Sequence, residues 1–557
     1  MSFSHRFPFP RGLALAAVLL AMAPHGTAAQ ALPVGDPLEE YVRILGLLGK
    51  AEPSWVNVRP APLWRGLPVG DTVSHPWQNR FGPARPLTDS TGVRASLDPV
   101  RLRVFLNSSY PYGQNDGAVW QGKGLTSALD VGGTLAWKHL TVSVRPTLIF
   151  NQNGDFPLAT VTREGATVYA DPWRRMDLPQ RFGPKSYWTL DPGQSMVRLI
   201  WRAVSVGFGT ENMWWGPGVE NAILMSDNAP GFPHAVLATA HPVNIGIGTI
   251  QAQWIWGRLQ QSQWADTIPA RWLDSLSLST KRYITGAVGS FRPRGLPGIT
   301  FGGARVFTES VPQGGLGARE YLLLFNGLLK THFITAANPT GQDARDEILS
   351  LFGRWAKPGS GFEVYTEWAR NDHAYNFRHA LLEPEHSQGY TLGFRQVVPL
   401  SGNRLLAWRG ELTHLEKPST MLVLDYGTYY EHWAVPAGYT QLGQVLGAAV
   451  GPGGDGQYAG VDVFAPWGRA GAFVRRQVRD NDAYWRMAVQ DSLGACCHDV
   501  VVSVGARSLW FLDHVDLGVD ATVNRELNRY YIEDNDHWNL NLAVSVREHR
   551  RGGSPRR

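Results

Sequence analysis

Residues 538–547 read WNLNLAVSVR, and their large apolar side chains fall at every second position. Trp538, Leu540 and Leu542 therefore share one face of a β-strand, and asparagines lie on the other face. A strand of about ten residues with one apolar and one polar face is long enough to cross a bilayer at a tilt. This stretch predicts a membrane-spanning β-strand.

The same period-two pattern recurs along most of the chain. Clear examples are residues 102–106, 142–150, 197–201, 204–208 and 250–256. The segments number roughly eighteen, which is typical of a large outer-membrane barrel. We therefore predict an all-β fold, a large antiparallel transmembrane β-barrel with a small N-terminal helical segment.

A soluble β-sandwich also alternates apolar and polar residues, so alternation alone leaves that fold open. Aromatic residues near predicted strand ends favour the barrel, because they would form interfacial girdles. They are Trp137, Trp214, Trp254, Trp256, Tyr365 and Trp368.

The N-terminus is typical of an export signal. Arg6 and Arg11 precede a short apolar run over residues 12–23, and Thr27-Ala28-Ala29 or Ala29-Gln30-Ala31 offers a cleavage site. That run is too short to span a bilayer as a helix. We therefore expect a signal peptide at residues 1–29, export, and an outer-membrane location.

The segment after the signal predicts one helix. Asp36 is the expected N-cap, Pro37 stands at the first helical position, and Glu39 would complete a capping box. An apolar stripe runs down to Gly49, which can end the helix; it comprises Leu38, Tyr41, Val42, Leu45 and Leu48. We assign residues 30–95 to this helical plug and its connector, 96–549 to the barrel and 550–557 to a basic tail.

The composition gives no support for a nucleic-acid partner and leaves the redox state of the two cysteines open. The 557 residues carry 52 Lys and Arg against 47 acidic residues, and a net charge of +5 gives no argument for nucleic-acid binding. Cys496 and Cys497 are adjacent, a poor geometry for an ordinary disulfide. We interpret them as two thiols near a hairpin, with their redox state undecided.

The sequence offers no catalytic motif, cofactor motif or metal motif that we would defend, so we expect a non-enzymatic protein. Glu363 and Glu367 could serve glycoside hydrolysis at a suitable separation, but their alternation with apolar residues favours a polar lumen. There they would pair with Arg409 or Arg475, and Arg145 and Arg198 are further lumen candidates. The run Glu383-Pro384-Glu385-His386 is more typical of a loop than of an acid/base or metal cluster.

A short Asn-Asp-aromatic motif recurs three times and carries two interpretations. Asn and Asp form turns, after which an aromatic residue would begin a strand; alternatively, these groups could bind sugar hydroxyls and stack on a pyranose ring. The candidate residues are Asn371, Asp372, Tyr375, Asn481, Asp482, Tyr484, Asn535, Asp536 and Trp538. Trp214 and Trp215, before the Gly216-Pro217-Gly218 turn, predict an ordered loop with exposed aromatic side chains.

An ordered set of motifs resembles the capsule assembly protein Wzi family. The matching stretches are residues 41–49 (YVRILGLLG), 58–60 (VRP), 120–124 (WQGKG), 215–218 (WGPG), 226–233 (SDNAPGFP), 363–368 (EVYTEW), 383–387 (EPEHS), 438–440 (GYT) and 443–447 (GQVLG). The resemblance covers nearly all of the mature chain, and its specificity lies in the order of the set.

The resemblance implies an eighteen-stranded outer-membrane barrel with its helical part at the periplasmic end. It also implies a lectin-like role in which capsular polysaccharide or exopolysaccharide is held at the cell surface. Membrane lipid or lipopolysaccharide and the outer-membrane insertion machinery are the other expected partners. A porin and, less favoured, an exported glycan hydrolase are the alternatives. One departure is the C-terminus, where a basic tail stands in place of the usual terminal aromatic residue.

Overall fold

A computed structural model describes most of the chain. The described residues are 32–51, 56–62, 74–81, 92–266, 278–329, 332, 344–357, 359–372, 376–418, 427–490 and 496–549. The predicted signal peptide and basic tail, and the motif residue Tyr375, lie outside them. Among the described residues, no helix has the length and apolarity needed to cross a membrane.

Strands are the main secondary structure of the described residues. In chain order, the strands are β1 (Val58–Arg59), β2 (Val93–Leu97), β3 (Arg101–Asn107), β4 (Gly124–Asp130), β5 (Gly133–Trp137), β6 (Leu140–Val144), β7 (Thr147–Asn151), β8 (Tyr187–Asp191), β9 (Met196–Trp201), β10 (Val204–Gly209), β11 (Trp214–Trp215), β12 (His234–Thr239), β13 (Val243–Asn244), β14 (Gly248–Leu259), β15 (Leu278–Pro293), β16 (Ile299–Pro312), β17 (Arg345–Lys357), β18 (Phe362–Asn371), β19 (Gln388–Leu400), β20 (Arg404–His414), β21 (Thr440–Gln441), β22 (Gln444–Val445), β23 (Asp455–Ala465), β24 (Gly468–Val478), β25 (Val500–Phe511), β26 (Val515–Leu527) and β27 (His537–Glu548). The helices are α1 (Pro37–Leu47), α2 (Phe377–Leu382) and α3 (Asn481–Gln490), with short 3₁₀ turns at Glu320–Phe325 and Arg529–Tyr531.

Twenty-three of these strands form one closed antiparallel barrel. Five pairs of them are successive halves of a single strand, interrupted for two to four residues: β2 and β3, β4 and β5, β6 and β7, β8 and β9, and β12 and β13. The barrel therefore has eighteen strands, as predicted. β27 pairs with β3 from Asn541 opposite Asn107 to Arg547 opposite Arg101, which joins the end of the chain to its beginning.

The apolar faces of the strands point outward. In β27, Trp538 and Leu540 are 61% and 47% exposed, whereas Asn539 and Asn541 are buried inside. In β9, Val197, Leu199 and Trp201 are exposed, and Arg198 is buried. This inside-out distribution is what a lipid-facing barrel requires, and it is the reverse of a soluble sandwich, whose apolar faces meet in the core.

The two ends of the barrel differ. Connections at one end, such as residues 138–139 and 202–203, have two to five residues, whereas those at the other end have nine to forty. Outer-membrane barrels place short turns in the periplasm and long loops outside. The long connections therefore mark the cell-surface end.

The predicted helix is α1, and it lies in the lumen at the short-turn end. The Asp36 carboxylate accepts a hydrogen bond from Leu38 N at 2.9 Å, which confirms the N-cap. Glu39 accepts from Gly35 N and not from Asp36 N, so the expected capping box is wrong by one residue. Leu47 O accepts from the backbone N–H groups of Gly359 and Gly361, both at 3.1 Å, which ties the helix to a short turn.

Long connections fill the lumen from the other end. Loop 210–233 carries β11, which pairs with β1 so that Val58 lies opposite Trp215. Loop 415–454 adds Tyr430 and Tyr439, whose hydroxyls donate to Ile223 O and Leu224 O at 2.8 and 2.7 Å. We call α1, β1 and the described parts of these two loops the plug.

Three assignments from the sequence change. Tyr365 and Trp214 are 2% and 4% exposed inside the barrel, so the interpretation of these two as girdle residues is wrong. The barrel begins at Val93, three residues before the predicted boundary. Cys496 and Cys497 form a disulfide with each other, so the interpretation of them as two thiols is wrong.

Val504→Arg tests the outward face. Val504 is 58% exposed in the middle of β25, and an arginine at the bilayer midplane costs about 2–4 kcal/mol. We expect the free energy of unfolding in lipid vesicles, measured by denaturant titration, to fall by that amount. Leu512→Arg, in the short turn 512–514, is the control and should cost at most about 1 kcal/mol. Equal effects at the two positions would contradict the lipid-facing assignment.

Candidate functional site: a cleft among the long loops, above a charged plug

The buried charges of the plug are organised around two glutamates. The Glu40 carboxylate binds Arg409, as well as Arg395 at 3.2 Å and Arg469 at 2.8 Å. Glu220 of loop 210–233 binds Arg409 and Arg475, both at 2.8 Å. Arg409 thus links the helix to the loop, and these residues hold the plug against the wall.

Glu363 is a lumen carboxylate, as predicted, but its partners differ. It binds Arg43 of α1 at 2.8 Å and Arg354 at 2.7 Å, and not Arg409 or Arg475. Arg43 also donates to Pro217 O at 2.9 Å. One guanidinium therefore connects α1, the wall and loop 210–233.

Glu367 and Glu411 hold the loop through its backbone. Glu411 accepts hydrogen bonds from three successive backbone N–H groups, Val219 to Asn221, at 2.7–3.0 Å. Such a row of N–H groups is an anion-binding nest. Glu367 accepts from Ile223 N at 3.3 Å, so the expected arginine pairing of Glu367 is wrong.

The Gly-Pro-Gly turn follows from this close approach. Gly216 has φ +104°, and a Cβ there would lie 3.0 Å from Glu367 Oε2. At Gly218 a Cβ would lie 2.0 Å from Asn221 O. Side chains at either position would displace the loop from the carboxylates.

Trp214 and Trp215 are not exposed, so the prediction of exposed aromatics there is wrong. Their relative exposures are 4% and 0%. Trp215 Nε1 donates to Gln253 Oε1 at 3.0 Å, and Trp214 Nε1 donates to Gly218 O at 3.1 Å. The turn between β11 and the nest directs both rings into the plug.

The remaining predicted lumen arginines each have a carboxylate partner. Arg198 is buried and binds Glu211 at 2.7 Å. Arg145 lies in the two-residue interruption between β6 and β7, and it binds Asp98 at 2.7 Å. The Arg198 pair joins β9 to loop 210–233, and the Arg145 pair joins the interruptions of two strands.

The three Asn-Asp motifs all lie at the long-loop end, in different local structures. Asn535 and Asp536 directly follow a turn at Glu533 and Asp534 and lead into β27, so an aromatic residue begins the strand as predicted but the turn lies two residues earlier. Asn371 ends β18 and is buried, and its Nδ2 donates to Thr428 O at 3.2 Å, while Asp372 has φ 64°.

The second motif begins α3, so the expectation of a turn and a strand there is wrong. Asn481 and Asp482 are both buried, and Tyr484 and Trp485 lie on the helix. Asn and Asp also favour helix N-termini, and that alternative prevails here. Tyr484 packs near Tyr531, with ring centroids 6.0 Å apart, which brings the second and third motifs to the same region.

A cleft of about 290 Å³ opens in this region. Its walls come from five long connections and the ends of their strands. Its lining residues are Pro111, Phe156, Asp171, Pro172, Trp173, Leu178, Gln180, Val450, Pro452, Gln477, Arg479, Asp480, Asp499, Arg529, Tyr530 and Tyr531. Aromatic faces, amides, carboxylates and guanidinium groups thus converge on one concave surface at the cell-surface end.

Two tyrosines of the cleft have an unusual backbone. Tyr530 and Tyr531 have φ of 61° and 64°, a left-handed conformation that bulky residues rarely adopt. The hydroxyl of Tyr531 donates to Asp480 O at 2.8 Å, and that of Tyr530 donates to Pro157 O at 2.9 Å. Side-chain contacts to neighbouring loops therefore hold this segment, as is common where strain serves binding.

Charges around the cleft are partly compensated. Arg479 and Arg529 both bind Glu526, at 3.0 and 2.9 Å, and the Arg529 guanidinium lies 5.4 Å from the ring centre of Phe156. Burial raises the pKa of the Asp171 carboxyl to about 7, although Arg174 opposes the shift. The Asp171 carboxylate also accepts hydrogen bonds from Trp173 N and Arg174 N at 2.7 and 2.9 Å.

Sequence reasoning missed most of this cleft. Trp173, Arg479, Arg529 and the two tyrosines were not among the candidates. The signal available was the run Arg529-Tyr530-Tyr531 directly before the third Asn-Asp motif. Trp173 had no comparable signal, because it stands in a long connection without periodicity.

Comparison with known proteins identifies the family. The family model described as capsule assembly protein Wzi matches residues 111–491, more than half of the chain. The chain belongs to the Wzi family. Several of the stretches on which the sequence resemblance rested lie in or next to the plug: residues 41–49, 58–60, 215–218 and 438–447.

One solved structure supports the fold. The chain is similar to Wzi of Escherichia coli, with a TM-score of 0.52, 12% identity, and coverage of 80% of this chain and 84% of that one. That protein is described as an outer-membrane protein involved in group 1 capsule assembly and as a carbohydrate-binding β-barrel. OprD of Pseudomonas aeruginosa matches with a TM-score of 0.39, 8% identity, and coverage of 86% and 97%. No curated protein sequence matches the chain. The fold and the family make this Wzi member an outer-membrane β-barrel.

Glu40→Gln tests whether ion pairing seats the plug. Burial acts to raise the pKa of Glu40, but Arg409, Arg507, Arg395 and Arg469 outweigh it and lower the pKa, so Glu40 is ionised at neutral pH. Removing one partner from a buried ion pair costs about 3–5 kcal/mol. We expect the variant to expose α1 to protease and to give ion conductance in planar bilayers, where the wild type gives no steady steps.

Glu39→Gln is the matched control for that experiment. Glu39 is the neighbouring residue, but burial raises its pKa to about 7, so it carries only part of a charge at neutral pH. Its loss should leave conductance and protease resistance near the wild-type level. Steady wild-type conductance, or identical behaviour of the two variants, would contradict the role of Glu40 and favour the porin alternative.

Asp171→Asn tests the buried carboxyl of the cleft. Because its pKa is raised from 3.8 to about 7, Asp171 stabilises the folded loop at low pH, and that contribution is lost as pH rises through 7. We expect hydrogen-exchange protection of the Trp173 and Arg174 amides to fall between about pH 4 and 7 in the wild type and to level off above that range. The asparagine variant keeps an acceptor oxygen but cannot ionise, so its protection, corrected for intrinsic exchange, should stay level. A parallel fall in both proteins would show that Asp171 is not the titrating group.

Proposed function

We propose that this Wzi-family protein holds capsular polysaccharide or exopolysaccharide at the cell surface without making or breaking bonds. The observation that carries the proposal is the cleft of aromatic, amide and charged side chains among the long loops. Membership of a capsule assembly family supports it, as does the description of Escherichia coli Wzi as a carbohydrate-binding barrel.

The chemistry of the cleft suits a sugar chain. Trp173 and Tyr530 are half-buried, so each can offer part of a ring face to a pyranose. Gln477 lines the cleft with a half-buried side chain whose Nε2 donates to Val450 O, and its amide oxygen can accept a hydrogen bond from a sugar hydroxyl. Arg479 is 32% exposed, and a guanidinium group can bind a ligand carboxylate, so a polysaccharide that contains uronic acids is the class we propose.

The hydrolase alternative loses its main candidates. Glu363 and Glu367 are fully buried and already accept hydrogen bonds from the plug. Neither can reach a glycosidic bond in a polymer outside the cell. The proposal therefore includes no general acid or nucleophile.

The remaining partners are also proposals. The outward apolar band, with Trp201 and Trp538 each 61% exposed, would contact membrane lipid and lipopolysaccharide. The strand that closes the ring, β27, is the segment that the outer-membrane insertion machinery would recognise. An N-terminal signal peptide would direct the chain to export.

Trp173→Ala tests the cleft. Loss of the indole face should weaken binding of the host's own surface polysaccharide by tenfold or more, or about 1.4 kcal/mol, measured by biolayer interferometry with the purified protein in detergent. Trp538→Ala removes an indole of the same size from the outer face of the barrel and should bind like the wild type.

The corresponding experiment in cells measures the ratio of cell-associated polysaccharide to polysaccharide shed into the medium. Cells that lack the protein should shed a larger fraction into the medium, and Trp173→Ala should restore cell-associated polysaccharide less well than Trp538→Ala. If the deletion strain keeps the wild-type ratio of cell-associated to shed polysaccharide, the anchoring role is wrong. If incubation with the purified protein shortens the polysaccharide chains, the protein hydrolyses the polymer and the non-enzymatic proposal is wrong.

A further inference from the structure

Three potential metal ligands meet on the connection between β18 and β19. His379 lies on α2, and Glu383 and His386 follow it. Glu383 Oε2 is 3.3 Å from His379 Nε2 and 3.8 Å from His386 Nδ1. One atom from each side chain lies within 4.8 Å of the other two.

The backbone fixes this arrangement. The Asn376 side chain caps α2 and accepts a hydrogen bond from His379 N at 2.7 Å. Glu383 N donates to His379 O at 2.9 Å, and His386 N donates to Glu383 O at 3.1 Å. One helical turn and one tight turn therefore direct two imidazoles and a carboxylate to a common point.

The spacing suits a tetrahedral metal ion. Ligands about 2.0–2.1 Å from a zinc ion lie about 3.3 Å apart at ideal tetrahedral angles. The two observed separations, 3.3 and 3.8 Å, are close to that value. Two histidines and one glutamate form a known zinc ligand set that leaves the fourth position open to water or another ligand.

The small size and exposure of α2 also support a bound ion. α2 has only six residues, and none of them is buried. A helix this short is marginal in water without tertiary packing. Phe377, Leu381 and Leu382 are more than 60% exposed, so they supply no such packing. A bound ion would hold the helix where apolar contacts do not.

A second group of three ligands shows the contrast. His414 and Asp455 already bind each other at 2.7 Å, and Glu416 accepts a hydrogen bond from Trp485 Nε1 at 3.0 Å. Among the described residues, these two groups are the ones with metal-ligand spacing. At 2.7 Å, His414 and Asp455 are closer together than two ligands of one tetrahedral zinc ion, so an ion would have to separate them.

We propose that His379, Glu383 and His386 bind one divalent ion of the zinc class at the cell-surface end of the barrel. Imidazole and carboxylate ligands in this geometry favour Zn²⁺ over Ca²⁺ or Mg²⁺, which prefer six or more oxygen ligands. The site uses none of the cleft residues, so it stands independently of polysaccharide binding.

The test is metal binding by the full mature chain, refolded in detergent, with any histidine tag removed and metal stripped by chelator. Isothermal titration with ZnCl₂ should give one equivalent bound, and CoCl₂ should give the intense visible absorption of a tetrahedral site. His379→Ala and His386→Ala should each weaken Zn²⁺ binding tenfold or more. His414→Ala is the matched control and should bind like the wild type.

Heat-dependent gel mobility reports whether each variant still forms a barrel, so loss of folding is distinguished from loss of the ligand. If folded His379→Ala binds Zn²⁺ like the wild type, or if His414→Ala is the variant that loses binding, the assignment is wrong. Preference for CaCl₂ over ZnCl₂ would also overturn it. Failure of the metal-site proposal would not change the outcome expected for the polysaccharide experiments. Failure of the polysaccharide proposal would likewise leave the metal-site proposal standing.

Discussion

Closure of the strand ring constrains almost every other part of this protein. A strand in lipid cannot leave backbone N–H and C=O groups unpaired, so the eighteen strands join β27 to β3 and face their apolar side chains outward. Most of the polar side chains of the strands then point into one enclosed space. Carboxylates and guanidinium groups confined there must pair with one another or with other parts of the chain, because an unpaired buried charge is very costly.

The plug meets that requirement. Arg43 and Glu40 of α1 extend the wall's charges inward, while Glu411 and Glu367 bind the backbone of loop 210–233. Several stretches on which the sequence resemblance rested, such as residues 41–49 and 215–218, lie in these contacts. Family resemblance therefore reports how the lumen is filled, whereas the cleft at the surface draws on residues outside those motifs. This division explains why the family can be recognised while the ligand residues cannot be carried over.

Sequence patterns predicted the elements that depend on local periodicity. β27 and β9 follow from alternation, and α1 follows from Asp36, Pro37 and an apolar stripe. The pairings inside the barrel could not be predicted in this way, since Arg43 and Glu363 are 320 residues apart in sequence. Trp214 looked like an exposed loop residue because nothing local shows that its loop folds inward. The conformations of Tyr530 and Tyr531 depend on contacts with Pro157 and Asp480, which only the assembled loops provide.

The walls of the cleft come from five separate connections, each anchored at both ends by strands of the ring. A change of length or sequence in one connection alters one wall and leaves the strand pairing and the other walls in place. Under the proposed function, related proteins could diversify in the polymers they bind by varying loops one at a time. A bacterial lineage that replaces its coat could keep the same scaffold and change only the part that touches the new coat.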